Sequence, residues 1–181
     1  VAHLDLRQNL NGLRANLHQK WRNRLKHGER QGLRLTRQNM PIDPDHWLLQ
    51  ADAQMQRDHR YRSWPKDLTL GFAHQNRSHA KLFTAFWGPA PVAGMLFLRH
   101  ANTLTYHIGH THSSGRATSA HTVLMWQAIC WAKRQGIDHI DLGMIDTEAS
   151  PGLARFKLGT GAQVGKGAHL ALGGDVGVVG V

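Results

Sequence analysis

The order of segments along this chain predicts an α/β domain of the α+β kind: a mostly antiparallel central sheet flanked by helices. Three observations carry the expectation. Segments of strand character at Leu68–Ala73, Ala80–Trp87, Val92–Arg99 and Thr103–Ile108 follow one another, with Gly88-Pro89-Ala90-Pro91 and Ala101-Asn102 as turns between the later ones. A helix over Ala120–Gln135 then leads directly into an apolar strand, Ile137–Leu142, a crossover that returns to the sheet in the parallel sense. Finally, 181 residues with 41% apolar side chains are enough for one packed core, which excludes wholesale disorder.

Taken in order, Val1–Leu6 alternates like a short strand, and Asp5 or Asn9 can cap the helix after it. Leu10, Leu13, Leu17, Trp21 and Leu25 recur at spacings of three and four, predicting one helix over about residues 9–31 that Gly32 ends. On another face of that helix, Arg14, His18, Arg22, Lys26 and Arg30 fall at successive i+4 steps, a cationic rail whose like charges repel unless an anion screens them. Pro41 and Pro44 break the chain. Asp45 is placed to cap a helix from His46 to about Arg60, which Ser63-Trp64-Pro65 terminates. The four strands come next, then a polar loop from Gly109 to Ser119. After the long helix, Gly136 supplies the stop. A Gly- and acid-containing loop (Gly143–Gly152), a short helix (Leu153–Leu158) and a last strand near Ala162–Leu172 complete a single domain over residues 1–172. Residues 173–181 read as a weakly ordered Gly-rich tail. There is no internal repeat and no interdomain linker.

Charge narrows the class of partner. Lys and Arg number 22 against 12 Asp and Glu, a net of +10. Residues 1–40 hold nine of the bases and two of the acids, so +7 of the excess lies there. This balance implies an anionic partner: nucleic acid, a phosphorylated small molecule or a membrane surface. No apolar run approaches the roughly 18 residues a membrane span needs, and the N-terminal segment lacks the apolar core of a signal peptide, so a cytoplasmic placement is expected. The chain begins with Val1, which implies that something upstream has been removed. One cysteine, Cys130, excludes a disulfide framework and any CxxC motif; in its apolar helix it reads as a buried thiol. Among the 14 histidines, His107, His110, His112 and His121 invite a metal, but on a continuing strand His107 points away from His110 and His112, and no zinc spacing is present. No metal is expected.

Three stretches together resemble the second acyltransferase-like domain, of GNAT type, of the Fem (FemAB-like) aminoacyltransferase family. The first is Lys20-Trp21-Arg22-Asn23-Arg24-Leu25-Lys26-His27-Gly28-Glu29-Arg30-Gln31-Gly32-Leu33, similar to the family's basic helix R-x-x-I-R-K-A-x-K-x-G-V. The second runs from Tyr106-His107-Ile108-Gly109 through the polar loop to Trp126-Gln127-Ala128-Ile129-Cys130-Trp131-Ala132-Lys133. The third is Ile140-Asp141-Leu142-Gly143, an acidic loop, and Leu153-Ala154-Arg155-Phe156-Lys157, similar to D-F/L-G-G … L-x-x-F-K. The resemblance spans about Leu4 to Leu170. It departs from the family at Met144, where a second glycine is usual, in lacking the helical-arm insertion, and in having one acyltransferase-like domain where complete Fem proteins have two. A missing upstream GNAT-like domain is therefore expected.

The resemblance implies transfer of an amino acid from aminoacyl-tRNA to an amine of a peptidoglycan precursor, with no tightly bound cofactor. The chemistry is aminolysis of an ester, which needs two anionic reactants held together and a developing oxyanion stabilised. Lys157 matches the family's reaction-centre lysine and suits the second need, against the plain alternative of a surface lysine after a core Phe156. Asp141, at the carboxyl end of a strand, can orient the amine, pair with Lys157, or cap its own turn. Asp146 and Glu148 can receive a cationic amine or simply solvate their loop. Tyr106 can hydrogen-bond substrate or pack as strand aromatics do. Lys20, Arg22, Arg24 and Lys26 are the candidates for phosphate contacts, to a nucleotide-sugar diphosphate, a lipid-linked pyrophosphate or the tRNA backbone. Two rival readings stand beside this one. His112-Ser113-Ser114-Gly115-Arg116-Ala117 partly matches the R/Q-x-x-G-x-G/A loop that holds the coenzyme A pyrophosphate at a helix N-terminus, which would make acetyl-CoA the donor. A non-catalytic RNA-binding module built on the basic helix would bind with steep salt dependence.

Overall fold

The computed structural model describes residues 1–59 and 63–165. The chain runs β1 (Ala2–Asp5), α1 (Leu10–Asn16), α2 (Gln19–Glu29), β2 (Arg34–Asn39), α3 (Trp47–His59), α4 (Lys66–Gln75), β3 (Ala80–Trp87), β4 (Ala90–His100), β5 (Thr103–Thr111), α5 (Ser113–Ala117), α6 (Ala120–Arg134), β6 (His139–Asp141), α7 (Pro151–Gly159) and β7 (Gln163–Val164). The strands form one sheet in the order β2-β3-β4-β5-β6-β1-β7. Every pair is antiparallel except β5 with β6, which the crossover through α5 and α6 makes parallel. This is the mostly antiparallel α/β sheet that the segment order predicts.

Strand periodicity separates two cores. On β4, Ala93, Met95 and Phe97 join the side chains of α1, α2 and α6 (Leu13, Leu17, Trp21, Leu25, Leu124, Ile129), while Leu96 and Leu98 join Leu48 and Leu49 of α3 and Leu70 and Ala73 of α4. Alternate residues point to opposite faces, so α1, α2 and α6 cover one face and α3 and α4 the other. On β5 the alternation slips. Phe97 stands opposite Tyr106 but Leu96 opposite Ile108, which leaves His107 as the extra residue of a β-bulge. His107 therefore turns to the α3–α4 face, where Thr69 Oγ1 lies 2.8 Å from its Nε2 and Trp64 packs edge-on at 4.9 Å. His110 faces the same side against Trp47 and Met55. The expectation that His107 points away from His110 is thus overturned by one inserted residue.

Several other boundaries differ from expectation. The single helix over residues 9–31 is two. Leu17 is extended (ψ 137°), and the His18 amide bonds to Gly159 O at 3.0 Å where a continuous helix would turn it to Arg14. Asn9 caps α1 through its Oδ1 to the Gly12 amide, and the i+4 rail is broken at its second member. Leu68–Ala73 is helix, because Thr69, Leu70 and Ala73 bury at helical spacing in α4. Strand β2 was unforeseen: only Leu35 is apolar in R-L-T-R-Q-N, and the ladder to β3 supplies what its pattern lacks. β5 runs to Thr111 and α5 (5 residues) sits in the middle of the expected polar loop. At α3 the cap is His46, whose Nδ1 accepts from the Leu48 amide at 3.3 Å, and not Asp45. The expected ends at Arg60 and Leu172 and the tail lie outside the described residues.

Candidate functional site

The third stretch of the resemblance folds into the end of β6, a loop and α7. β6 stops at Asp141, and β1 holds that stop: the Ala2 amide donates to Gly143 O and the Leu142 amide to Ala2 O, both at 2.9 Å. β5 pairs with β6 only through Thr103–Thr105 and from Tyr106 to Thr111 keeps β4 as its one sheet neighbour. The two parallel strands therefore part at Asp141, which opens the carboxyl edge of the sheet where α/β folds receive ligands. Asp141 is buried and its Oδ1 accepts from the Gly143 amide at 2.7 Å, the turn-capping role.

Lys157 lies in the last turn of α7, 7% exposed, and its Nζ donates to Met144 O at 2.9 Å. Burial pushes its ammonium down to about 8, against the opposing pull of the Asp141 carboxylate. The helix C-terminus also favours the cation. The result is a desolvated ammonium, still mostly charged at neutral pH, within electrostatic reach of the buried Asp141 carboxylate.

Tyr106 reaches this site through a residue for which sequence reasoning had only a metal role. His121, in the first turn of α6, has Nε2 3.2 Å from the Tyr106 hydroxyl and Nδ1 2.7 Å from Thr111 Oγ1, with its ring 4.6 Å from that of Phe156. Burial pushes His121 down to about 3, so it is neutral: one ring nitrogen donates and the other accepts. Burial pushes the Tyr106 phenol up, so it too stays neutral. Gly109 makes this packing possible, since a side chain there would overlap the Tyr106 hydroxyl. The sequence signal was a histidine in the first turn of an otherwise apolar helix, a weak one without the fold. Phe156 is in turn gripped by Trp21, whose Nε1 donates to Phe156 O at 3.1 Å. That contact docks the basic helix α2 on the element that carries Lys157.

Of the four basic candidates on α2, Lys20, Arg24 and Lys26 are exposed, while Arg22 donates to Ala15 O at 2.7 Å. Arg14 of the former rail pairs with Glu29 at 2.8 Å. Asp146 accepts from the amides of Glu148 and Ala149, tying up its own loop, and Glu148 is exposed. Gly115 sits inside α5 against β4, where a Cβ would collide with Val92 O, and Arg116 donates to Thr111 O at 2.8 Å. The structure thus brings Lys157 within electrostatic reach of Asp141, links Tyr106 through His121 to Phe156, the residue before Lys157, and docks α2 on the same Phe156. Gly115 and Arg116 belong to a separate packed turn, and Asp146 and Glu148 to the loop rim. His121 is on the opposite sheet face from His107, His110 and His112, and among the described residues no group of three His, Cys, Asp or Glu side chains is arranged to hold a metal ion. Among them, too, no helix is long and apolar enough to cross a membrane.

A seven-stranded, mostly antiparallel sheet with one parallel pair, β5 with β6, flanked by helices on both faces is a GNAT-like acyltransferase type of fold. The chain belongs to the acetyltransferase (GNAT) domain family, whose model matches residues 14–163. Its structure is similar to that of FemX, with a TM-score of 0.73 at 10% identity over 90% of this chain and 58% of that one. It is also similar to L-PGS from Bacillus licheniformis (TM-score 0.51, 16% identity, 80% of this chain and 46% of that one). A GNAT-family acetyltransferase from Staphylococcus aureus Mu50 matches with a TM-score of 0.52 at 18% identity, over 65% of this chain and 78% of that one. At these identities the likeness is one of fold. The chain spans about half the length of FemX and L-PGS. No match is found among curated protein sequences.

Proposed function

We propose that this domain transfers an aminoacyl group from aminoacyl-tRNA to the amine of a phosphate-bearing acceptor, which by the Fem resemblance is a peptidoglycan precursor. The observation that carries the reading is Lys157: a nearly buried ammonium held by Met144 O beside Asp141, where β5 and β6 separate. In the reaction a neutral amine attacks the ester carbon and a C–N bond forms as negative charge collects on the carbonyl oxygen. The intermediate then collapses with cleavage of the bond to the tRNA 3′-oxygen, which takes up the proton that the new amide nitrogen loses. Lys157 keeps its own proton and stabilises the oxyanion, an interaction strengthened by the low local dielectric. Asp141 supports the charged state of Lys157 and holds the Gly143 amide. Tyr106, fixed by His121, offers a neutral hydroxyl at the same edge. Lys20, Arg24 and Lys26 supply phosphate contacts from α2.

Acetyl-CoA is the rival donor, favoured by the family description. Against it stands α5, which folds the His112–Ala117 stretch into a helical turn with Gly115 packed on Val92 O, not into an open anion-binding loop. Incubation with labelled aminoacyl-tRNA or acetyl-CoA and a panel of amine acceptors, for wild type and Lys157→Ala, separates the readings. Transfer from aminoacyl-tRNA that Lys157→Ala abolishes is expected. Transfer from acetyl-CoA alone overturns the tRNA-dependent reading, and RNA binding with no transfer from either donor leaves a binding module.

A further inference from the structure

The cations of the N-terminal segment continue past α2 onto the edge strand β2, where they gather with others at the C-terminal end of α6, the end opposite His121. Arg37 of β2 has its guanidinium carbon 5.7 Å from the centre of the Trp131 ring. The ammonium of Lys81, on β3, lies 5.9 Å from the same ring and donates to Asn39 Oδ1 at 2.5 Å. Arg134, the last residue of α6, lines the same shallow groove of about 80 Å³, together with Arg37, Gln127 and Trp131. Burial, with the nearby charges of Arg37 and Arg99, pushes the Lys81 ammonium below its ordinary value. The two ion pairs among the described residues tie up Arg7 and Arg14 and none of these cations. Like charges collected without acids cost stability, a cost that a bound anion offsets.

The distance to the candidate site says what kind of anion. Thirteen residues of α6 separate His121 from Arg134, roughly 20 Å at 1.5 Å per residue. A small thioester or acceptor at Lys157 does not span that; a polynucleotide does. We propose that the groove between β2 and the C-terminal half of α6, lined by Arg37 and Arg134 with Lys81 over the same Trp131 ring, holds backbone phosphates of the RNA whose acylated 3′ end lies at Lys157. This rests on the tRNA-dependent reading, but it concerns a surface remote from the reaction centre.

Titration of the whole protein with unacylated tRNA between 50 and 200 mM salt tests it without any chemistry. The R37Q/K81Q/R134Q variant, checked by its thermal melt, is expected to bind about 10- to 100-fold more weakly at 100 mM salt. Its log–log salt slope is expected to be shallower by about 2 to 3. The charge-preserving R37K/K81R/R134K variant is expected to bind as wild type does. An unchanged affinity and slope in the neutralised variant overturns the proposal. So does equal loss in the charge-preserving variant, or suppression of tRNA binding by low-millimolar inorganic phosphate in wild type only, the mark of a free-phosphate site. If acyl transfer from tRNA fails while unacylated tRNA still binds through this groove, the proposed activity falls and the groove stands. If transfer occurs with an unaltered KM for tRNA in the neutralised variant, the groove alone falls.

Discussion

Two sets of cations in this molecule make a useful contrast. Lys157 is buried at the carboxyl edge of the sheet, with one carbonyl partner and a carboxylate nearby, and its ammonium is pushed down to about 8. Lys20, Arg24 and Lys26 stand exposed on α2. The exposed set supplies three of the chain's 22 Lys and Arg and acts through long-range attraction that salt screens. Among the described residues Lys157 is the one Lys or Arg that is buried, and it adds little to that total, yet it has a low-dielectric environment of the kind in which a developing oxyanion is strongly stabilised.

The largest expected effect tests the buried cation. Lys157→Ala should lower kcat/KM for acyl transfer by about 100- to 1,000-fold, and loss confined to KM would break the contrast. Neutralising the exposed set together (Lys20, Arg24 and Lys26 to Gln) should raise KM for the anionic substrate about 10-fold at low salt, with kcat unchanged and the difference shrinking as salt is added. A fall in kcat instead would bring α2 into the reaction centre. The pH profile sharpens the assignment further. Activity should decline above about pH 8 as Lys157 loses its proton, and Lys157→Arg, if active, should move that alkaline limb upward.

Stability gives the smallest effects and the clearest sign. Burial lowers the folded-state pKa of Lys157 below its unfolded value, so between about pH 8 and 10.5 the unfolded chain binds the extra proton and wild-type stability rises with pH. Lys157→Met should therefore be about 1–3 kcal/mol more stable than wild type at pH 7 by denaturant unfolding, while inactive. It should also lose the rise with pH. The exposed triple variant should melt where wild type does.

Much of the fold was legible because local pattern and tertiary role agreed. Ala80–Trp87 is apolar and punctuated by Gly88-Pro89, and it is strand with those same ends. Ala120–Arg134 carries its buried residues on a helical pattern, with Gly136 just beyond. The loop with Asp141 and the helix with Lys157 were recognisable by order and spacing. Leu68–Ala73 misled because L-T-L-G-F-A satisfies both periods, and packing on the α3–α4 face chose the helix. β2 was invisible because an edge strand with one neighbour needs little apolar pattern.

By itself the sequence determined which residues carry charge, which segments bury and in what order they come, because those depend on composition and short-range periodicity. The tertiary structure alone decided three things. Gly159 O captures the His18 amide and splits the basic helix in two. The bulge at His107 sets which side chains of β5 face which core. And Tyr106, His121 and Phe156, 50 residues apart from first to last, pack together next to the helix that carries Lys157. Each depends on partners distant in the chain, whose contacts exist only once the sheet has formed.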